Sequence, residues 1–176
     1  TNNYHKTGTD RIFEAINKLD KTDVELIINL QGDEPLMNID DIKNLNNQMI
    51  KNNSFLGTLG SNTLNKNDYS NENIVKVETK KELSNLNFPE ANCFKRKALN
   101  NQNIYHHLGI YCYQKDTLRK FVSYKQSHNE IKNKLEQLRA LDNQININVA
   151  LAKSSPIGVD TKEDFVAIKK IMEYKS

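Results

Sequence analysis

The sequence predicts an α/β fold with a mostly parallel sheet that carries helices on its faces. Three observations carry that expectation. Apolar runs of strand length alternate with stretches of helical periodicity, the order that a parallel sheet covered by helices produces. Leu26-Ile27-Ile28-Asn29-Leu30 is a nearly unbroken apolar run that stops at Gln31-Gly32-Asp33-Glu34-Pro35, as a central strand covered on both faces does when it leaves the sheet. Residues 145–152 form a second such run, followed by Ser154-Ser155-Pro156-Ile157-Gly158-Val159-Asp160-Thr161 and a helical pattern through Met172. In open sheets ligands bind beyond the carboxyl ends of the strands, so Asp33 and Asp160 each leave a strand where a site is expected.

Taken in order, Thr7 or Thr9 caps a first helix on which Ile12, Ala15, Ile16 and Leu19 recur at helical spacing. After the strand ending at Asn29, Asp40 opens a helix with the stripe Ile42, Leu45, Met49 and Ile50. Residues 55–59 and 74–77 read as strands around a polar loop, and residues 80–102 show no clear period. Strand character returns in Tyr105-His106-His107-Leu108-Gly109-Ile110-Tyr111-Cys112-Tyr113, where alternation puts His107 and Tyr111 on one face. His106 has no assigned role. One helix is predicted over 115–122 and another over 130–142, with Leu135, Leu138 and Leu141 on one side and Glu136, Gln137 and Arg139 around the rest. A helix over 162–174 closes the chain. With no repeat, linker or composition break, residues 1–176 read as a single domain.

Composition narrows the function classes. At 176 residues and 37% hydrophobic content the chain can bury a core, although it is short for a complete enzyme of the larger α/β kinds. No apolar run nears the roughly 20 residues that span a bilayer, so no membrane association is expected and the cytoplasm is the expected compartment. The formal charge is +3 with lysines scattered among acids, which leaves no concentrated footprint for nucleic acid. Cys93 and Cys112 have neither metal-ligand spacing nor the numbers of a disulfide framework, and read as reduced thiols. The polar opening from Thr1 has no strand and no signal-peptide layout, so the N-terminus reads as cut.

Two carboxylates delivered from separate strands suit a hard cation such as Mg²⁺, which takes oxygen ligands, keeps several waters and shares them with phosphates. The same strings also make ordinary turns and helix N-caps. Five blocks in order decide between these: Thr7-Gly8-Thr9-Asp10-Arg11, the segment 29–35, His107-Leu108-Gly109-Ile110-Tyr111, Leu135-Glu136-Gln137-Leu138-Arg139, and Gly158-Val159-Asp160-Thr161-Lys162-Glu163-Asp164. Through them the chain resembles the 3-deoxy-manno-octulosonate (Kdo) cytidylyltransferases, the CMP-Kdo synthetases. The resemblance implies a doubly wound fold of the nucleotide-diphospho-sugar transferase type, a homodimer, and transfer of CMP from CTP to the sugar acid with release of pyrophosphate, for lipopolysaccharide assembly. It also implies site roles: Asp33 and Asp160 as catalytic residues and Mg²⁺ ligands; Gly8 and Arg11 on the nucleotide side; Gln31, His107, Tyr111, Glu136 and Gln137 on the sugar, joined by Arg139 and, in place of an aromatic-Ser-Arg segment, by Arg96.

The family's N-terminal strand and phosphate-binding loop have no counterpart here, so the chain reads as the C-terminal two-thirds of the family domain, and turnover by it alone is expected to be nearly absent. Two other readings stay open: a related CMP-sugar synthetase, such as one for sialic acid, or a non-catalytic α/β remnant or dimerising module.

Overall fold

The computed structural model describes the chain except residues 6, 20–22, 100–101, 157, 160 and 176 and the side chains of 174 and 175. Asp160, an expected metal ligand, therefore lies outside the described residues.

Thr7 caps α1 (Gly8–Lys18), its hydroxyl accepting from the Asp10 amide at 3.2 Å. The strand that delivers Asp33 is β1 (Leu26–Asn29). Asn38 caps α2 (Ile39–Asn52), and Asn53 closes it in the left-handed conformation at φ 48°. Leu45 and Met49 of the expected stripe are buried, but Ile50 is exposed, because α2 packs through the face bearing Leu45, Gln48 and Met49. There follow β2 (Leu56–Ser61), β3 (Lys76–Thr79), β4 (Ala91–Lys95) and β5 (Ile104–Gln114), the fourth lying in the segment without a clear period. After α3 (Lys115–Ser123), the helix expected over 130–142 is two short ones, α4 (His128–Asn133) and α5 (Leu138–Asp142). A Ser127 capping box starts α4, and Lys134, left-handed at φ 54°, ends it. The apolar spacing from Leu135 to Leu141 thus straddles a turn. Finally come β6 (Asn148–Ala152) and α6 (Lys162–Lys175).

The sheet has six strands in the order β4-β3-β5-β2-β6, with β1 also bonded to β5. β1, β2 and β3 all run antiparallel to β5, and β6 is parallel to β2, so four strands share one direction. β4, antiparallel to β3, runs with β5. The mostly parallel sheet expected from the sequence is corrected in one respect: β2 and β6 are the one parallel pair of neighbours among the described residues, because the reversed β5 lies between β2 on one edge and β1 and β3 on the other. A reversed strand has the same apolar signature as a parallel one, so sequence period cannot reveal it. Among the described residues β1 bonds β5 alone.

Core residues occupy both faces of the sheet, which is what doubly wound means physically. Ile27, Tyr111, Tyr113, Phe121 and Leu138 pack on one face with Ile12, Phe13 and Ile16 of α1. On the other, Leu45 and Met49 meet Leu59, Leu108, Ile110 and Cys112. The approach of α2 to β2 is close enough to require glycine: a Cβ at Gly57 would lie 2.6 Å from Met49 Sδ and 2.9 Å from Phe88 Cζ. Gly57→Ala is expected to cost about 1–3 kcal/mol through overpacking, read as a lower denaturation midpoint with unchanged m-value. An unshifted midpoint would show that α2 has room to retreat. Cys93 and Cys112 are free thiols, and among the described residues no helix is long and apolar enough to cross a membrane.

Candidate functional site

Because β1, β2 and β6 share a direction, their carboxyl ends meet at one edge of the sheet. The register places Asn29 opposite Tyr111, Gly60 opposite His107 and Ser61 opposite His106. β3 enters at that edge, Lys76 opposite His106, so the loop leading into it also reaches the site. Between these ends lies a cleft of ≈ 770 Å³ whose lining includes Gln31, Asp33, Arg96, His107, Tyr111, Glu136 and Gln137.

Each wall has a local cause. After β1 the chain turns, the Glu34 amide bonding the Gln31 carbonyl at 3.1 Å, and this brings Gln31 and Glu34 over Gly109. Opposite, β5 bulges: Thr58 pairs with Tyr111 and Leu59 with Leu108, leaving Gly109 and Ile110 as additional residues. Two additional residues preserve alternation, so His107 and Tyr111 keep one face, their rings 5.6 Å apart. The break between α4 and α5 makes the third wall. Had the helix been continuous, residues 135–137 would wind around an axis; instead the turn carries Glu136 and Gln137 to the cleft.

The loop after β6 is held at three points. Buried Asp41 accepts from the amides of Lys153 and Ser154 at 2.9 and 3.2 Å and from the Ser154 hydroxyl at 2.7 Å. Ser155 Oγ lies 2.6 Å from His106 Nδ1, and the Val159 amide donates to the Asp33 carbonyl at 2.8 Å. Asp160 itself is outside the described residues, but the residue before it is bonded to Asp33. Among the described residues no group of three or more His, Cys, Asp or Glu side chains could hold a metal. The Asp33 carboxylate at this edge fits Mg²⁺, which takes few carboxylates and completes its shell with water and phosphate oxygens.

His107 is buried beside Phe94, and its Nε2 lies 3.0 Å from Thr58 Oγ1. The hydroxyl has one proton, and the Ile110 carbonyl at 2.7 Å is its closest acceptor, which assigns the ring hydrogen to Nε2 and leaves Nδ1 as an acceptor. Burial, and secondarily His106, pushes the His107 pKa down to about 3. A histidine neutral in the fold and charged in the unfolded chain removes stability as pH falls from its ordinary 6.5 towards 3, because the unfolded state then binds more protons. His107→Gln is expected to flatten this part of the stability profile; in the wild type the ring carbons keep neutral-form NMR shifts down to about pH 4, one unit above the folded pKa. Charged-form shifts at pH 5 would contradict the assignment. Burial also raises the pKa values of Tyr111 and Glu136, the latter opposed by Thr7, Thr9 and Arg139. Glu136 Oε1 has no hydrogen bond among the described residues.

Three expected site residues stand elsewhere. Gly8 begins α1 and is exposed, outside the cleft lining. Arg11 donates to the Thr1 hydroxyl at 2.7 Å and the Asn2 carbonyl at 3.1 Å, so its guanidinium closes the N-terminal segment onto α1. Arg139 is buried, held by Glu130 at 2.8 and 2.6 Å and stacked over Phe121 at 4.6 Å, and is absent from the lining. Arg96 reaches the cleft, yet donates to the carbonyls of Asn133, Glu72 and Lys134 at 2.9, 2.9 and 3.1 Å. Sequence reasoning missed His106, Ser155, Asp68 and Lys134, all at the cleft. His106 adjoins His107 and so belongs to the opposite face by alternation, but a cleft at strand ends takes residues from both faces.

A family profile described as Cytidylyltransferase matches residues 1–148. A 3-deoxy-manno-octulosonate cytidylyltransferase from Bartonella bacilliformis is 36% identical, the alignment covering 98% of this chain and 71% of that protein. One from Thermodesulfovibrio yellowstonii is 38% identical over 98% of this chain and 72% of its own length. Among solved structures, a CMP:2-keto-3-deoxy-manno-octonic acid synthetase complexed with CTP superposes with a TM-score of 0.86 at 27% identity, covering all of this chain and 72% of that one.

Proposed function

The chain belongs to the cytidylyltransferase family, and on that premise we infer that it transfers CMP from CTP to the anomeric hydroxyl of Kdo, giving CMP-Kdo and pyrophosphate for lipopolysaccharide assembly. The observation that carries the reading is the single cleft, at the carboxyl ends of co-directed strands, that unites Asp33 with His107, Tyr111, Glu136 and Gln137.

The reaction asks mainly for alignment and charge neutralisation: the sugar hydroxyl attacks the α-phosphate in line while pyrophosphate leaves. Gln31, His107 Nδ1 and Gln137 bind sugar hydroxyls, and the Glu136 carboxylate, whose Oε1 is buried 3.9 Å from Arg139 Nη2, accepts from another through its other oxygen. A buried neutral histidine suits this task, since it binds hydroxyls as an acceptor without drawing in a counter-ion. Lys134 and the remaining N–H groups of Arg96 supply positive charge for the sugar carboxylate. Asp33 and Asp160 would hold Mg²⁺, which when bound offsets the charge of the phosphates. The protein acts in the cytoplasm, where CTP is available, as a homodimer; light scattering reads the latter.

The test is pyrophosphate release by the protein expressed from its full reading frame, supplied with CTP, Mg²⁺ and either Kdo or sialic acid. Turnover with Kdo at least about a hundredfold above that with sialic acid is expected, because a site built on hydrogen bonds to one sugar rejects another that leaves them unmade. Preference for sialic acid, or no release with either, would overturn the assignment.

A further inference from the structure

Lys76 is among the largest fully buried side chains, 1% exposed. Its ammonium donates to three backbone carbonyls, those of Asn71 and Ile74 at 2.6 Å each and of Arg96 at 2.7 Å. Burying a charge among neutral acceptors is costly, and burial lowers the Lys76 pKa against the opposing pull of Asp68. What the buried ammonium does physically is tie these three carbonyls together. They belong to the loop entering β3 and to the end of β4, and the residue that ends β4's extension, Arg96, bonds onward to the carbonyls of Glu72, Asn133 and Lys134. The two cations thus gather six carbonyls from three segments: 71–74, 96, and 133–134. Both outer segments run directly into cleft residues. Asn73, Ile74 and Val75 line one side, and Lys134 precedes Leu135, Glu136 and Gln137 on the other.

We propose that Lys76 is a positioning residue for the sugar-acid wall: together with Arg96 it sets the turn between α4 and α5 that presents Glu136 and Gln137. The proposal rests on the reading of those two side chains as sugar ligands. Lys76 does not line the cleft, so it acts through Arg96 rather than on substrate. The left-handed backbone of Lys134, unfavourable for a non-glycine residue, is consistent with a turn held from outside by the guanidinium.

The experiment compares Lys76→Met and Arg96→Met with Lys80→Met, an exposed lysine beyond the end of β3, using amide hydrogen exchange and calorimetric titration with Kdo. In both test variants, exchange of residues 133–137 is expected to quicken about tenfold or more and Kdo affinity to fall by a similar factor, with Lys80→Met unchanged in both. A merely structural lysine would quicken exchange at 71–75 alone, or lower the fraction of folded protein without moving the affinity of the folded part. Either result overturns the proposal, as does unchanged exchange at 133–137. If Lys76→Met fails to fold, Arg96→Met decides by its exchange at 133–137 alone, because its Kdo affinity also reports the guanidinium's own contact with the sugar carboxylate; unchanged exchange there overturns the proposal. Wild-type protein that shows no Kdo binding would refute the sugar-acid reading, while the exchange data would still decide whether the two cations hold the turn.

Discussion

Arg139→Met is expected to destabilise the protein by about 3–5 kcal/mol, the cost of leaving a buried ionised partner uncompensated. Arg139 bonds Glu130 through Nε at 2.8 Å and Nη2 at 2.6 Å, and their side chains are 2% and 4% exposed. Glu130 also accepts from Gln126 at 3.1 Å and from the Ser127 amide at 3.1 Å, so it cannot move to water without dismantling the α4 cap. Chemical denaturation measures the loss. The double variant Arg139→Met with Glu130→Gln should recover much of it, since removing both charges removes the desolvation penalty. The pH dependence has a definite sign. Burial opposes ionisation of Glu130, but the Arg139 bonds prevail and its pKa is lowered from 4.5, so its stabilisation is full above 4.5 and is lost as pH falls through the folded value. In Arg139→Met the carboxyl is buried without its cation and its pKa rises, so the gap between variant and wild type should begin to narrow above pH 4.5, at the variant's raised value, and go on narrowing until the pH has fallen through the wild type's lowered one. A surface-like loss below 1 kcal/mol, independent of pH, would show that the pair is not buried in solution.

Asp33→Asn is expected to lower pyrophosphate release roughly 10²–10³-fold, the scale of deleting one preorganised electrostatic contact at a reacting centre. The substitution is isosteric, and the Asp33 side chain is exposed on a turn. The bond from the Val159 amide is to its main-chain carbonyl, which the change leaves intact. Stability should therefore stay within about 0.5 kcal/mol of wild type, as for other surface changes. Turnover within tenfold of wild type would remove Asp33 from the mechanism, whereas parallel loss of turnover and stability would point to the loop contact instead.

Much of this architecture is legible in local pattern. Thr7 before an amphipathic stretch marks α1, the run 26–30 marks a strand that ends in acids, and two-residue alternation puts His107 and Tyr111 on one face. These are consequences of backbone period and burial, which a single segment records. What only the tertiary structure decided is which partners each segment meets. β5 is reversed between co-directed neighbours, and no pattern within residues 104–114 distinguishes that from a parallel strand. The apolar spacing of Leu135, Leu138 and Leu141 reads as one helix, yet the carbonyls of Asn133 and Lys134 are held by Arg96, far away in sequence, and the chain turns there. Charged residues show the same limit. Arg11, Arg96 and Arg139 are equivalent on composition, but one closes the N-terminal segment, one gathers carbonyls at the cleft and one neutralises a buried glutamate. The energy of a charge depends on its desolvation and on the groups brought against it, and both are set by contacts remote in sequence.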